Sequence, residues 1–175
     1  MSELLAVVNA SPLIYLGRLG LLDLLPRLFA QILTVEDVKQ EVLKDTSAPE
    51  TASMSVAFSS WLHVLAPTDN TLVSKLLAAQ AHRGEAAVIA LAKQLAIEKR
   101  EPVVILDDLL ARELATTLGL RVTGTIGVLL KAGRQGLLKK GELRSYIRRL
   151  VEDTDFRMSV KLYSRILSDI ERMEG

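Results

Sequence analysis

Short apolar runs alternate with segments of helical period along the chain. Five runs bounded by turn residues predict buried strands: LLAVV at residues 4–8, QILT at 31–34, WLHVLAP at 61–67, PVVIL at 102–106 and LRVTG at 120–124. Between and after these runs, apolar residues recur every three or four positions, which is typical of amphipathic helices. The alternation predicts an α/β fold in which a mainly parallel sheet of about five strands lies between two helical layers.

Capping residues predict where several helices begin. Ser11 as the N-cap, with Pro12 at the first helical position, predicts the start of the first helix. Thr34 is expected to open a helix over Val35–Lys44 in the same way. The segment DTSAPETAS at residues 45–53 has the composition of a loop, so the next helix is expected only from Met54 onward.

Composition narrows the class of protein. The 175 residues include 22 basic and 21 acidic side chains, a formal charge of +1, and no cysteine, which excludes disulfides, cysteine–zinc sites and thiol nucleophiles. No apolar stretch is long enough to cross a bilayer, so we expect a soluble cytoplasmic protein without a membrane partner. No repeat or linker divides the sequence, and we expect a single domain over residues 1–175, with additional C-terminal helices at about 140–173.

Polar side chains occur where three predicted strands end and where one helix begins: Asn9, Glu85, Asp107, Asp108, Thr123 and Thr125. In open parallel sheets, ligands bind outside the carboxyl ends of the strands, where the strand order reverses. If the first, fourth and fifth strands are neighbours, these side chains converge although they are far apart in sequence.

Convergent carboxylates repel one another unless a cation neutralises them. Oxygen ligands without His or Cys favour Mg²⁺ or Mn²⁺, ions that serve phosphodiester hydrolysis. Each residue also has an ordinary interpretation, because the acids suit helix starts, Asn9 suits a turn, and the two threonines suit the beginning of a helix. The prediction of a metal site therefore depends on the conjunction of these residues.

Three segments carry a family resemblance, and they follow one another in order: VVNASPLIYLGRLGLLDLL, RGEAAVIALA and VVILDDLLARELATTLGLRVTGTIGVLLKAGRQG. With them the chain resembles the PIN-domain family, the metal-dependent ribonuclease fold of VapC-type toxins. It is most similar to a small prokaryotic PIN-like group of unknown function. The resemblance implies an α/β/α sandwich, Mg²⁺ or Mn²⁺ as the cofactor, RNA as the substrate and, for a toxin, a small antitoxin-like protein as a partner.

Matched position by position, the family motif implies a set of metal ligands, and Ser11 stands beside the first of them. The metal ligands fall on Asn9, Glu85, Asp107, Asp108 and Thr125, and the catalytic acids among them are Glu85, Asp107 and Asp108. We expect substrate contacts from Ser11 and from two residues chosen by their position, Thr123 at the end of the fifth strand and Arg112 one turn into the helix after the acidic pair. The sequence does not decide between Asp107 and Asp108 as the main ligand. Arg112 has three open interpretations: it holds a carboxylate in place, meets a substrate phosphate, or pairs with Asp108.

Asn9 departs from the family pattern, which has an acid at this position. An amide oxygen can coordinate Mg²⁺, but it contributes no negative charge and cannot act as a base. This departure keeps a second hypothesis open: a catalytically weakened PIN scaffold that acts as an RNA-binding or protein-interaction module.

The C-terminal part is locally basic, with ten basic and four acidic side chains between Lys131 and Arg165. Arg144 and Arg148 lie one helical turn apart, and a phosphate backbone is a suitable target for such a face, although a solvated helical surface is the alternative. The apolar face of the last helix favours core packing, and the alternatives are contacts in a homodimer or with an antitoxin.

Two other function classes fit poorly. A phosphoacceptor receiver domain would carry its acidic pair near the first strand and a lysine after the last, whereas the fifth strand here ends in Thr-Gly-Thr. A dinucleotide-binding fold would show GxGxxG after the first strand. His63 and His82 lack the spacing of a metal site, and we interpret both as structural.

Overall fold

The computed structural model describes residues 4–173. Its strands are β1 (Leu5–Val8), β2 (Gln31–Thr34), β3 (Leu62–Val64), β4 (Val103–Ile105) and β5 (Arg121–Thr123). They form one parallel sheet in the order β3-β2-β1-β4-β5. Each strand lies within one of the five predicted runs, and β1, β4 and β5 are neighbours, as convergence of the polar strand ends requires.

In the described chain, seven helices lie in the connections between β1 and β5: α1 (Ala10–Arg18), α2 (Leu24–Leu28), α3 (Glu36–Leu43), α4 (Thr51–Ser60), α5 (Asn70–Ala78), α6 (Arg83–Ile97) and α7 (Leu109–Thr117). Parallel crossovers are right-handed, so the change of winding direction after β3 puts α1–α4 on one face of the sheet and α5–α7 on the other. The predicted three-layer α/β/α sandwich is confirmed.

The centre of the sheet is apolar on both faces. Every residue of β1 is buried, as expected for a central parallel strand covered by helices on both sides. On one face α6 packs against β1 and β4, and its residues are buried without interruption from Glu85 to Ala92. The alanines in this run let the helix approach the sheet closely. Because α6 runs back from the end of β3 to the beginning of the parallel strand β4, its first turn lies towards the carboxyl edge of the strands.

Three predicted helix starts are wrong. The first helix begins at Ala10, with Asn9 rather than Ser11 as its N-cap. Thr34 does not open α3, because it ends β2 and its hydroxyl donates to the carbonyl of Val8 at 2.7 Å. The helix α4 begins at Thr51, so the predicted loop is three residues shorter than its composition suggests.

The chain forms two compact units, one up to Thr125 and one from Ile126 onward. The later helices are α8 (Thr125–Arg134), which begins at the end of the first unit, α9 (Lys140–Glu152) and α10 (Val160–Arg172). The helices α9 and α10 lie within the range of about 140–173 that was predicted for additional C-terminal helices. The assignment of residues 1–175 to a single domain stays a prediction. Among residues 4–173, no helix has both the length and the apolar character needed to cross a membrane.

Candidate active site

The strand order reverses between β1 and β4, and two backbone hydrogen bonds tie the strand ends together there. The Asn9 N–H donates to the carbonyl of Ile105 at 3.1 Å, and the Leu106 N–H donates to the carbonyl of Thr123 at 2.8 Å. Neighbouring strands are about 4.8 Å apart, so the residues that follow β1, β4 and β5 lie along one short edge. Ligands bind at this kind of switch point in open parallel sheets.

Asp107 is held in one orientation by Thr125. The Thr125 backbone N–H donates to Asp107 Oδ1 at 2.8 Å, and the Thr125 hydroxyl donates to Asp107 Oδ2 at 2.6 Å. Thr125 is fully buried and Asp107 is half-buried, so both contacts are partly shielded from water. The pair links the end of β4 to the beginning of α8, as the sequence predicts for residues at neighbouring strand ends.

Gly124 makes room for the Asp107 cluster. A Cβ atom at this position would lie 2.7 Å from Asp107 Oδ1, 2.8 Å from Arg112 Nη1 and 3.1 Å from the Leu106 carbonyl oxygen. The Arg112 Nη1 group itself donates to that carbonyl at 2.8 Å. The glycine of the Thr-Gly-Thr segment is therefore a steric requirement, and Arg112 reaches back along α7 to the acid.

The electrostatics of Asp107 combine opposing effects. Burial raises the pKa of the carboxyl above its ordinary value, and the two hydrogen bonds from Thr125 and the nearby Arg112 guanidinium oppose that rise. The balance leaves the pKa raised. A cation close to this carboxylate would favour its charged form.

Asp108 has a different environment from its neighbour. It is exposed and forms the N-cap of α7, where its Oδ1 accepts a hydrogen bond from the Ala111 N–H at 2.9 Å. Within the described residues, the Asp108 side chain forms neither an ion pair with Arg112 nor a hydrogen bond to another candidate, although the Arg112 N–H donates to the Asp108 backbone carbonyl at 3.0 Å. Of the two interpretations of the acidic pair, the capping role thus describes Asp108, and the bonded position beside Thr125 belongs to Asp107.

Asn9 and Glu85 lie at the other side of the switch point. Asn9 is 6% exposed, yet its side chain neither caps α1 nor hydrogen-bonds to any other described residue. A Cβ atom on Gly84 would lie 3.6 Å from Asn9 Oδ1, so the first turn of α6 approaches the end of β1. Glu85, also buried, accepts through Oε2 a hydrogen bond of 2.9 Å from the His82 N–H.

The two remaining candidates, Ser11 and Thr123, have fewer contacts through their side chains. Ser11 lies half-buried in the first turn of α1, and Thr123 is half-buried at the end of β5. Neither side chain forms a hydrogen bond within residues 4–173. Substrate contact by Ser11 and Thr123 stays a prediction.

Three features of the polar residues were not predicted. The exposed His82 places Nδ1 3.3 Å from Glu85 Oε2, a contact that its position three residues before Glu85 could have indicated. Gly124 was noted only as part of the Thr-Gly-Thr segment. Glu50 is buried, with Arg18 Nε 3.3 Å from its Oε1 and no hydrogen-bond partner for Oε2 in the described chain.

The oxygen donors at the switch point suit a hard divalent cation. Among residues 4–173, no three His, Cys, Asp or Glu side chains are grouped so as to hold a metal. Asn9, Glu85 and Asp107 offer one amide and two carboxylates, and the Asn9 side chain is nearly buried without a hydrogen-bond partner among the described residues. Mg²⁺ commonly binds to one or two carboxylates and keeps several waters, so this donor set fits Mg²⁺ or Mn²⁺ with a low protein charge.

A family model described as a PIN domain matches residues 5–172, nearly the whole chain. The match includes the five strands, the carboxyl edge of the sheet and the C-terminal helices. No curated protein matches the chain. PIN domains are generally nucleases and typically use divalent metal ions. This chain belongs to the PIN-domain family.

Proposed function

We propose that this chain is a ribonuclease that hydrolyses RNA phosphodiester bonds with a divalent cation, Mg²⁺ or Mn²⁺. The observation that supports it is the arrangement at the switch point between β1 and β4. There, a bonded carboxylate on Asp107 follows one strand, and the nearly buried amide of Asn9 follows its neighbour. Membership of a nuclease family supplies the reaction class.

Each residue has a distinct part in this proposal. Asn9, Glu85 and Asp107 would hold the cation, which when bound would activate water and stabilise charge on the phosphate. Thr125 fixes the Asp107 carboxylate through two hydrogen bonds, so little reorganisation is needed when a ligand binds.

Glu85 and Arg112 complete the set of charged groups. Glu85 uses Oε2 to accept from the beginning of its own helix, and Oε1 has no donor among the described residues. That oxygen is open to a ligand. Arg112 supplies positive charge near Asp107 while it donates to the Leu106 carbonyl, and that charge would attract a substrate phosphate.

The test compares isosteric variants in an RNA cleavage assay with purified protein. We expect Asp107→Asn and Glu85→Gln to reduce Mn²⁺-dependent cleavage of a labelled single-stranded RNA by about a hundredfold or more. Glu113→Gln, which neutralises an exposed acid in α7, is the matched control and should cleave at the normal rate. Circular dichroism establishes that each variant is folded. Normal cleavage by both site variants would exclude the proposal.

A toxin in a toxin–antitoxin pair is the finer form of this proposal, with a small antitoxin-like protein as its partner. Its support is the VapC-like motif order in the sequence. Expression in a bacterial host should arrest growth, and Asp107→Asn should relieve the arrest at equal protein levels. Arrest that persists with Asp107→Asn would separate toxicity from the nuclease site.

A catalytically weakened scaffold that binds RNA or a protein is the second candidate, and the neutral Asn9 favours it. An amide in place of an acid reduces the negative charge available to a cation. Asn9→Asp distinguishes the two: a change from no cleavage to clear cleavage supports the weakened scaffold, whereas cleavage by the wild-type chain supports the enzyme. Wild-type and variant chains that both fail to cleave would contradict the ribonuclease.

A further inference from the structure

One face of α10 carries a row of exposed cations. Lys161, Arg165 and Arg172 lie on it, with Ser168 between the last two. The spacing of four, three and four residues keeps all four side chains on one side of the helix. We call these four residues the cationic stripe. At about 1.5 Å per residue, it extends for about 16 Å along the helix axis.

The opposite face of α10 fixes the direction of the stripe. Ile166 and Ile170 are buried there, so the helix cannot turn its cations inward without exposing both. At its beginning the helix is capped by Ser159, whose hydroxyl oxygen accepts from the Leu162 N–H at 3.1 Å. The stripe is therefore presented to solvent by an anchored helix.

The cations of the stripe differ from other cations of the same unit. Arg144 pairs with Glu171, and Arg149 lies 3.7 Å from Asp153. Within the described residues, none of the three stripe cations has an ion-pair partner. Their charge is therefore available to a partner molecule.

The charge of the sequence is divided unevenly between the two units. Residues 126–175 contain 11 basic and 7 acidic side chains, whereas residues 1–125 contain 11 basic and 14 acidic ones. The near-neutral total hides a surplus of positive charge in the C-terminal unit. Such a local surplus attracts polyanions and steers their approach.

We propose that the cationic stripe binds the phosphate backbone of RNA. Lys, Arg and Ser side chains are typical phosphate contacts, and they give binding without sequence preference. Protein interfaces are instead centred on apolar and aromatic side chains, and none occupies the stripe. The inference takes RNA from the proposed function, but it concerns binding by residues that are not part of the candidate active site.

The experiment measures binding of a labelled oligouridylate by fluorescence anisotropy across a range of salt concentrations, in EDTA so that no cleavage occurs. The test variant carries Lys161→Gln, Arg165→Gln and Arg172→Gln. Each phosphate contact on a single strand contributes about 0.7 to the slope of log K against log salt, so the slope should fall by about 2. At low salt, we expect the variant to bind at least about tenfold more weakly.

A charge-matched control separates a specific surface from net charge. Arg27, Lys75 and Lys99 are exposed in the first unit and have no ion pair among the described residues, so neutralising all three gives the same change in charge. The control should keep the wild-type slope. An unchanged slope in the stripe variant, or an equal loss in the control, would overturn the inference. Should the triple variant unfold, Arg165→Gln alone should lower the slope by about 0.7.

The outcome is independent of catalysis. A chain that binds RNA through the stripe and does not cleave it would contradict the proposed function and leave this inference in place. Cleavage that depends on Asp107, together with unchanged binding by the stripe variant, would do the reverse.

Discussion

The two sides of the switch point are built differently. On the side of β4 and β5, Asp107 receives two hydrogen bonds from Thr125 and has Arg112 beside it. On the side of β1, the nearly buried Asn9 side chain forms no hydrogen bond with the described residues. The end of β4 supplies a charged group that the fold already orients, whereas the end of β1 supplies a neutral amide without a hydrogen-bond partner among the described residues, and the carboxylate on this side belongs to Glu85 in α6.

In the proposed function, the two sides would have different roles in binding a cation at the edge of the sheet. The Asn9 amide atoms are not among the fully buried side-chain atoms that lack a partner, so they are within reach of solvent and are open to water or a ligand. The Asp107 side would set the position of a cation, and the Asn9 side would complete its coordination at a low cost in charge repulsion. Four experiments test or sharpen this comparison.

Gly124→Ala should cause the largest loss of stability of the four experiments, on the side where Asp107 is hydrogen-bonded to Thr125. The new Cβ would overlap Asp107 Oδ1, Arg112 Nη1 and the Leu106 carbonyl, and overpacking of this kind costs about 2 kcal/mol. Urea denaturation measures the loss. Gly141→Ala is the control, because no atom of the described residues lies within 4 Å of its Cβ position, and it should leave stability unchanged or slightly raised. Equal behaviour of the two variants would show that the Asp107 cluster tolerates displacement.

Asn9→Asp should place an acid at the end of β1 like the acid that follows β4. A second acid near Glu85 should destabilise the metal-free protein and bind Mn²⁺ about tenfold more tightly, which corresponds to about 1.4 kcal/mol. Thermal unfolding in EDTA and in Mn²⁺ measures both effects. Asn70→Asp, at an exposed position in α5, is the control. A variant that responds to Mn²⁺ no more than the control would contradict a cation at this edge.

Asp108→Ala should weaken the start of α7 and leave the metal affinity of the candidate site unchanged. Loss of the N-cap of α7 costs about 1 kcal/mol, and Asp108→Ser should recover most of it because serine also caps helices. Calorimetry should give the same Mn²⁺ affinity as the wild type. A large loss of affinity would assign Asp108 to the metal site.

The pH dependence of stability should give the smallest effect. Because the pKa of Asp107 is raised in the folded state, the folded chain holds this proton more tightly than the unfolded chain does. The resulting stability is fully present below the unfolded pKa, near 3.8, and is lost as pH rises through the folded pKa. Urea denaturation in EDTA should show this fall in the wild type and not in Asp107→Asn. Parallel pH profiles would contradict the raised pKa.

Much of the architecture was accessible from sequence because it depends on local patterns. Five apolar runs with turn residues between them gave the five strands, and helical periodicity gave the C-terminal helices. Helix starts were less accurate. Ser11 has the right chemistry for an N-cap, but Asn9 already ends a paired strand, and the backbone turns directly from there into α1. Strand pairing overrode a local preference.

Within the site, the sequence indicated that the ends of β1, β4 and β5 are neighbours, but not how the residues there are bonded. Asp107 and Asp108 are adjacent and chemically identical, so only the paths of β4 and α7 separate a half-buried acid from an exposed cap. The role of Gly124 depends on atoms from two other segments, Leu106–Asp107 and Arg112. Contacts of this kind arise from tertiary structure and leave no periodic signal.

The hydrogen bond from the Asn9 N–H to the Ile105 carbonyl joins the end of β1 to the end of β4, so a local opening on one side of the edge affects the other side. Since Leu106 in turn donates to Thr123, these bonds form a continuous ladder from β1 to β5. Local openings in proteins occur in contiguous cooperative units, so fraying at the outer strand β5 would propagate inward through these bonds. Amide hydrogen exchange at Asn9 and Leu106 is then coupled, and opening of the Asp107 side also disturbs the end of β1.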